Sequence, residues 1–172
     1  MQLDYRLILD PLAPIGHLRP ADQRRVCDMR VQYQLAMASQ VGASCSHVEE
    51  IVALIGPRVV GLEQEHAFLL LLDANLCLVC EPIVIFKGTQ DSCDFEPRAV
   101  LRAALARPTC AAFAMCHNHP SGSVQPSYAD ISVTRRMAFA AREIGLRFID
   151  HLVVCGPQKY VSLRIRNPEL FM

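Results

Sequence analysis

A chain of 172 residues, 52% of them apolar, carries enough hydrophobic material for one compact domain plus an N-terminal extension, and too much for a disordered segment. Its 17 basic residues balance 17 acidic ones, so no basic tail or stripe marks it as a non-specific nucleic-acid binder, although a local patch fits the composition. No apolar run reaches the length of a membrane span.

The first ten residues carry charges at Asp4, Arg6 and Asp10 and do not read as a secretory signal. With most of the eight cysteines inside apolar runs, the expectation is a cytoplasmic protein with reduced thiols. Residues 1 to 19, with Pro11, Pro14 and Gly16, read as irregular. Pro20 suits the first turn of a helix predicted to run to about Gln40, before Gly42 and Ser44. Its apolar spacing is loosely amphipathic, as in a helix packed on the domain or on a partner. The chain thus divides into an extension over residues 1–45 and a main domain over 46–172.

Ser46-His47-Val48-Glu49 has the form of a capping box and opens a helix predicted through about Val59, which Gly56-Pro57 can kink or end. Residues 67–73 form a continuous apolar run, the sign of a strand buried on both faces. Asp73-Ala74-Asn75 reads as a turn, and residues 76–86 as the returning strand of a hairpin. Within them, Cys77-Leu78-Val79-Cys80 is a CxxC without a second pair, a weak metal or redox signal. After a loop at Lys87-Gly88-Thr89, Asp94-Phe95-Glu96-Pro97-Arg98 leads into a helix through about Ala106, stopped by Pro108.

The apolar run Cys110–Cys116 reads as a strand that ends on His117-Asn118-His119. Residues i and i+2 of a strand point to one side, so both imidazoles can face one point beyond the strand end. Pro120, Ser121 and Gly122 then turn the chain. Ser127 and Asp130 fit a second capping box, at the start of a helix predicted over 128–144 with Gly145 as its C-cap. Two imidazoles and a carboxylate suit a catalytic zinc whose fourth ligand is water. The plainer readings are a helix cap and two polar strand-end residues; each explains one residue but not their joint spacing. Residues 146–155 read as a further strand and Lys159–Arg164 as its return. Asp150 and His151 face opposite ways on that strand, and His151 reads as a hydrogen-bonded core residue more readily than as a third metal ligand.

The spacing His117-x-His119, seven residues, Ser127, two residues, Asp130 resembles the JAMM motif of the JAB/MPN metallohydrolases, and the wording His-Asn-His-Pro-Ser-Gly is similar to the RadC branch of that family. Gln64-Glu65-His66, Lys87-Gly88-Thr89, Pro97-Arg98, Asp150-His151 and Tyr160–Arg164 extend the resemblance, in order, over about residues 46 to 166. Two features depart from it: Glu96 stands where RadC relatives tend to have histidine, and the extension lacks the glycine-rich signature of a helix-hairpin-helix.

The resemblance implies a deaminase-like fold, in agreement with the strand–helix alternation: an α/β three-layer sandwich with a central mixed sheet and flanking helices. It implies one Zn²⁺ held by His117, His119 and Asp130. Glu65 would serve as the proton-transferring base, with Glu63 and Glu81 as its competitors, and Ser127 would donate to the oxyanion. The expected reaction is hydrolysis of a peptide or isopeptide amide, with a peptide or protein as partner. The alternative is a RadC-type accessory in DNA repair or mobile-element biology that uses the domain as an interaction module; a nuclease reading fits the neutral charge less well.

Overall fold

The computed structural model describes residues 13–37, 40–88 and 96–172, with backbone only for residues 32–37. The segment read as irregular at the N-terminus falls outside these residues up to position 12, as does the loop expected from Thr89 to Phe95. Helices α1 (Pro20–Met37) and α2 (Val48–Val59) precede strands β1 (Glu65–Leu72) and β2 (Ile83–Gly88). Helix α3 (Pro97–Leu105), strand β3 (Ala112–His117) and helix α4 (Tyr128–Glu143) follow. Strands β4 (Arg147–Gly156) and β5 (Lys159–Ser162), helix α5 (Leu163–Arg166) and a 3-10 turn (Pro168–Phe171) complete the chain. The sheet order is β2-β1-β3-β4-β5. Only β3 and β4 run parallel, and α4 is the crossover between them. The expected α/β sandwich with a mixed sheet is what forms.

Period-two alternation divides the central strands between two cores. Phe68, Leu70 and Leu72 of β1, with Ala114 and Cys116 of β3, pack against Ile51, Val52 and Ile55 of α2. Ala67, Leu69, Leu71, Phe113 and Met115 pack on the opposite face against Val100 and Ala104 of α3 and Val133, Met137 and Ala141 of α4. Leu69 through Leu72 are wholly buried, each such side chain contributing about 1.5–3 kcal/mol. This is why the unbroken apolar run reads as a strand covered on both sides. Among the described residues, no helix is long and apolar enough to cross a membrane.

Two local readings need correction. The capping box at the start of α2 is displaced by one residue: His47 is the N-cap, and Glu50 Oε2 accepts from His47 N at 3.1 Å and from Ser44 Oγ at 2.8 Å. The Ser44 hydroxyl outside the helix makes the Glu50 arrangement better satisfied than one built on Ser46 and Glu49. The returning strand does not begin at residue 76. Asp73 Oδ1 accepts from Asn75 N and Cys77 N, and residues 76–78 bond to Ala43 and Cys45 before the chain reaches Pro82 and starts β2. Cys77 and Cys80 are therefore off the named strands, and both are free thiols. Pro57 is accommodated within α2 rather than ending it. At the far end of the sheet, the return strand stops at Ser162, whose Oγ caps α5 by accepting from Ile165 N.

A register shift in the parallel pair has consequences for the site. Phe113 pairs with Phe148 and Met115 with His151, so two steps along β3 match three along β4. The extra residue lets Phe148 and His151 both face α4: Phe148 lies in the α4 core and His151 bonds to Thr134.

Helix α2 approaches the β4–β5 turn at Gly56, where a Cβ would stand 2.8 Å from Pro157 Cα and 3.0 Å from Pro157 N. Both obstacles are backbone and cannot swing aside. Gly56→Ala is expected to lower stability by about 1–3 kcal/mol despite the better helix propensity of alanine. Urea denaturation would read this as a lower midpoint at unchanged slope; an unchanged or raised midpoint would contradict the close approach.

Candidate metal centre

His117 is the last residue of β3 and pairs with Ala67 of β1, whose side chain faces α3 and α4. His117 therefore points toward α4 and is fully buried. Beyond it, Gly122 N donates to His119 O at 2.9 Å, closing a turn through Pro120 and Ser121 that requires Gly122 at φ 72°. His119 is brought back beside His117, and its Nδ1 lies 2.9 Å from Ser123 O. A carbonyl only accepts, so His119 carries a proton on Nδ1 and, when neutral, presents a bare Nε2.

Helix α4 opens with the predicted capping box. Asp130 N donates to Ser127 Oγ at 3.1 Å, while Asp130 Oδ2 accepts from Ser127 N at 2.6 Å and from Ser127 Oγ at 2.7 Å. The cap fixes the carboxylate on the buried side of the first turn. Asp130 Oδ1 comes 3.1 Å from His117 Nε2 and Oδ2 comes 3.6 Å from His119 Nε2, while the two Nε2 atoms are 3.0 Å apart. A tetrahedral zinc with bonds of about 2.0–2.1 Å separates neighbouring ligand atoms by about 3.3 Å, so the three donors have the spacing of one ligand triangle. Basic nitrogens and a carboxylate crowded together, with His117 and Asp130 buried, favour a cation between them, a proton or a metal.

The ionisation of the cluster follows from the same crowding. Burial pushes the Asp130 carboxyl up, but the imidazoles of His117 and His119 and the Ser127 hydroxyl outweigh it and hold the group well below the usual carboxylate range. His119 is raised above 6.5, first by its contact with Asp130.

Glu65 opens β1 two residues before Ala67, on the same face, and is buried. One atom each of Glu65, His117 and His119 lies within 4.8 Å of the others, a grouping able to hold a metal ion. Glu65 Oε1 and Asp130 Oδ1 are buried without a hydrogen-bond partner among the described residues. Burying such atoms unmatched is costly, and a cation with its bound water would match both. The donor set and the orphaned oxygens thus fit a metal. The competing glutamates lie elsewhere: Glu81 bonds to Gln40 N and Arg58, and Glu63 is exposed.

Two residues that the motif leaves unassigned hold this arrangement. Asn118, between the two histidines, is buried; its Oδ1 accepts from His66 N at 2.9 Å and its Nδ2 donates to Gln64 O at 3.1 Å. It clamps the backbone on either side of Glu65, so the base candidate and the imidazoles share one frame. Thr134, one turn after Asp130, donates to Asp130 O at 2.6 Å and lies 2.6 Å from His151 Nδ1. The i, i+4 spacing of Asp130 and Thr134 was a readable signal for a shared helix face. His151 is the core histidine expected of it: its Nε2 lies 3.0 Å from His117 Nδ1, and burial holds its pKa well below the ordinary value. Asp150 turns instead to Ser162 Oγ and Arg164 N.

A family model described as the RadC-like JAB domain matches residues 45–168. The chain is similar to a UPF0758 protein of Staphylococcus haemolyticus, 41% identical over 102 residues, covering 59% of this chain and 43% of that protein. One from Listeria monocytogenes is 38% identical over 117 residues, 67% of this chain and 50% of the relative. One from Lactococcus lactis is 31% identical over 163 residues, 95% of this chain and 70% of the relative. The chain spans about half the length of the first two relatives.

In the metal-free protein, the Asp130–His119 contact stabilises the fold only between their titrations. The His119 contribution is complete below its unfolded value near 6.5 and is lost as pH rises through the raised folded value. The Asp130 contribution is present above its unfolded value near 3.8 and is lost as pH falls. Chelator-treated protein should therefore lose, between about pH 6 and 8, a stabilisation that Asp130→Asn lacks, read as the difference in Tm between the two proteins because buried neutral His151 drives the absolute Tm the other way. A wild-type Tm advantage over Asp130→Asn that grows across pH 6–8 would contradict the pairing.

Proposed function

From the premise that this chain belongs to the RadC-like JAB domain family, we propose that it is a zinc-dependent hydrolase of a peptide or isopeptide amide bond. JAB/MPN domains include metallohydrolases. The observation that carries the reading is the convergence of His117 Nε2, His119 Nε2 and the Asp130 carboxylate at 3.0–3.6 Å, with the buried, unpartnered Glu65 oxygen beside them. Two imidazoles with one carboxylate form a donor set for zinc rather than for calcium or magnesium, which take oxygen ligands.

His117, His119 and Asp130 would hold the ion. When bound, zinc supplies Lewis acidity, making a water acidic enough to ionise near neutral pH and polarising the carbonyl under attack. Glu65 accepts the proton of the attacking water and returns it to the leaving nitrogen, and its burial keeps bulk water from competing for that proton. Ser127 anchors Asp130 through its hydroxyl proton, so donation to a substrate oxyanion entails exchanging that bond. An extended chain suits the surroundings. Strand β2 is a sheet edge whose Gly88 pairs with Glu65, so a peptide added to that edge would run toward the base. A phosphodiester would call for more positive charge than this balanced chain carries.

Purified protein is expected to bind about one equivalent of zinc by elemental analysis, and His119→Ala to lose it. Glu65→Gln should keep the zinc and lose about 10²–10⁴-fold in hydrolysis of a proteome-derived peptide library or of isopeptide-linked conjugates, scored by mass spectrometry of new termini. Full zinc content in His119→Ala would place the ion elsewhere. Undiminished cleavage in Glu65→Gln would remove Glu65 as the base.

A further inference from the structure

Behind His117, on its Nδ1 side and away from the Asp130 carboxylate, three polar groups form a buried line: the Asp130 carbonyl, the Thr134 hydroxyl and the His151 ring. Thr134 and His151, like His117, are fully buried. Thr134 Oγ1 is 2.6 Å from Asp130 O and 2.6 Å from His151 Nδ1; His151 Nε2 is 3.0 Å from His117 Nδ1. The positions of the protons along this line follow from counting donors.

A backbone carbonyl has no proton to give. Two oxygens at 2.6 Å need one between them, and the threonine hydroxyl holds the only one. That proton is therefore committed to Asp130 O, and Thr134 can only accept from His151. His151 Nδ1 must carry hydrogen. A second hydrogen on Nε2 would make the ring a cation in a site sealed from water, so its Nε2 is bare. His117 must then donate from Nδ1, which leaves its Nε2 lone pair directed at Asp130 and His119. The reverse order, with Thr134 donating to His151, sets two acceptor oxygens against each other at 2.6 Å.

We propose that Thr134 and His151 are positioning residues that lock His117 in its Nδ1–H tautomer and so present Nε2, unprotonated, as a metal-ligand atom. The role as ligand rests on the hydrolase reading above; the tautomer itself does not. The device starts from the helix that carries the third proposed ligand, since the Asp130 backbone carbonyl orders the line while the Asp130 side chain faces the Nε2 atoms of His117 and His119. It also depends on the β3–β4 register shift that turns His151 toward α4.

The test uses chelator-treated full-length protein labelled with ¹⁵N-histidine, whose long-range ¹H–¹⁵N spectra distinguish protonated from bare ring nitrogens. In wild type, at a pH where both rings are neutral, His117 and His151 should each show a protonated Nδ1 and a bare Nε2. Thr134→Val should release the order, populate the Nε2–H form of His117, and weaken zinc binding about 10–100-fold in competition with a chromophoric chelator. Thr134→Ser should restore both. His151→Gln, whose amide oxygen can accept from His117 while its NH₂ donates to Thr134, should retain the tautomer where His151→Leu loses it. An Nε2–H form of His117 in wild type overturns the proposal. So does a Thr134→Val protein with native tautomer and native zinc affinity. If wild type bound no zinc, the hydrolase reading would fail while the spectra still decided the tautomer.

Discussion

Three electron-rich groups meet where the end of β3 faces the first turn of α4, and much of the local architecture serves to keep them there. Left alone, His117 Nε2, His119 Nε2 and the Asp130 carboxylate would separate, since nothing among them attracts without a positive charge. Each is held from behind instead. Ser123 O takes the far nitrogen of His119, the His151 ring takes that of His117, and Ser127 caps Asp130. The hydrophobic layers on both faces of the sheet supply the rigidity against which these bonds act, because a strand end and a helix start that could shift by an ångström would relax the crowding.

The core on the α3–α4 face of the sheet also positions the site. Helix α4 packs on β3 and β4 through Met137 and Ala141, which places its N-terminus over the His117 end of the sheet. Strand β1 lies on the other side of β3 and delivers Glu65 through the Ala67–His117 register. Asn118 then ties the two strands together at the level where they would otherwise fray. The proposed ligands and base thus come from three elements, and the side chain between the two histidines is the fastening that keeps the strand and Glu65 aligned.

Much of this was legible in the sequence because it was local. The unbroken run at Leu69–Leu72 indicated a strand covered on both faces, and the spacing of Ser127 and Asp130 indicated a capped helix. Gly145 marked the end of α4 and adopts φ 72° there. What escaped depended on partners distant in the chain. The α2 cap moved by one residue because Ser44 supports Glu50. The return strand was delayed because residues 76–78 pair with the segment before α2. That His151 and Phe148 face the same helix follows from a register irregularity, which alternation within β4 alone contradicts. Thr134 and Asn118 carry no chemistry of their own and stand out only once their neighbours are placed.

Asp130 serves two masters with one side chain. Its Oδ2 initiates α4 by receiving the Ser127 amide and hydroxyl, while Oδ1 faces His117 Nε2 and takes no hydrogen bond among the described residues. With an ion held by His117, His119 and Asp130, winding of the crossover helix and completion of the coordination sphere would be a single cooperative event. A substitution that loosened the first turn of α4 would dismantle the centre with every histidine intact, and a captured ion would in turn fasten that turn against unwinding.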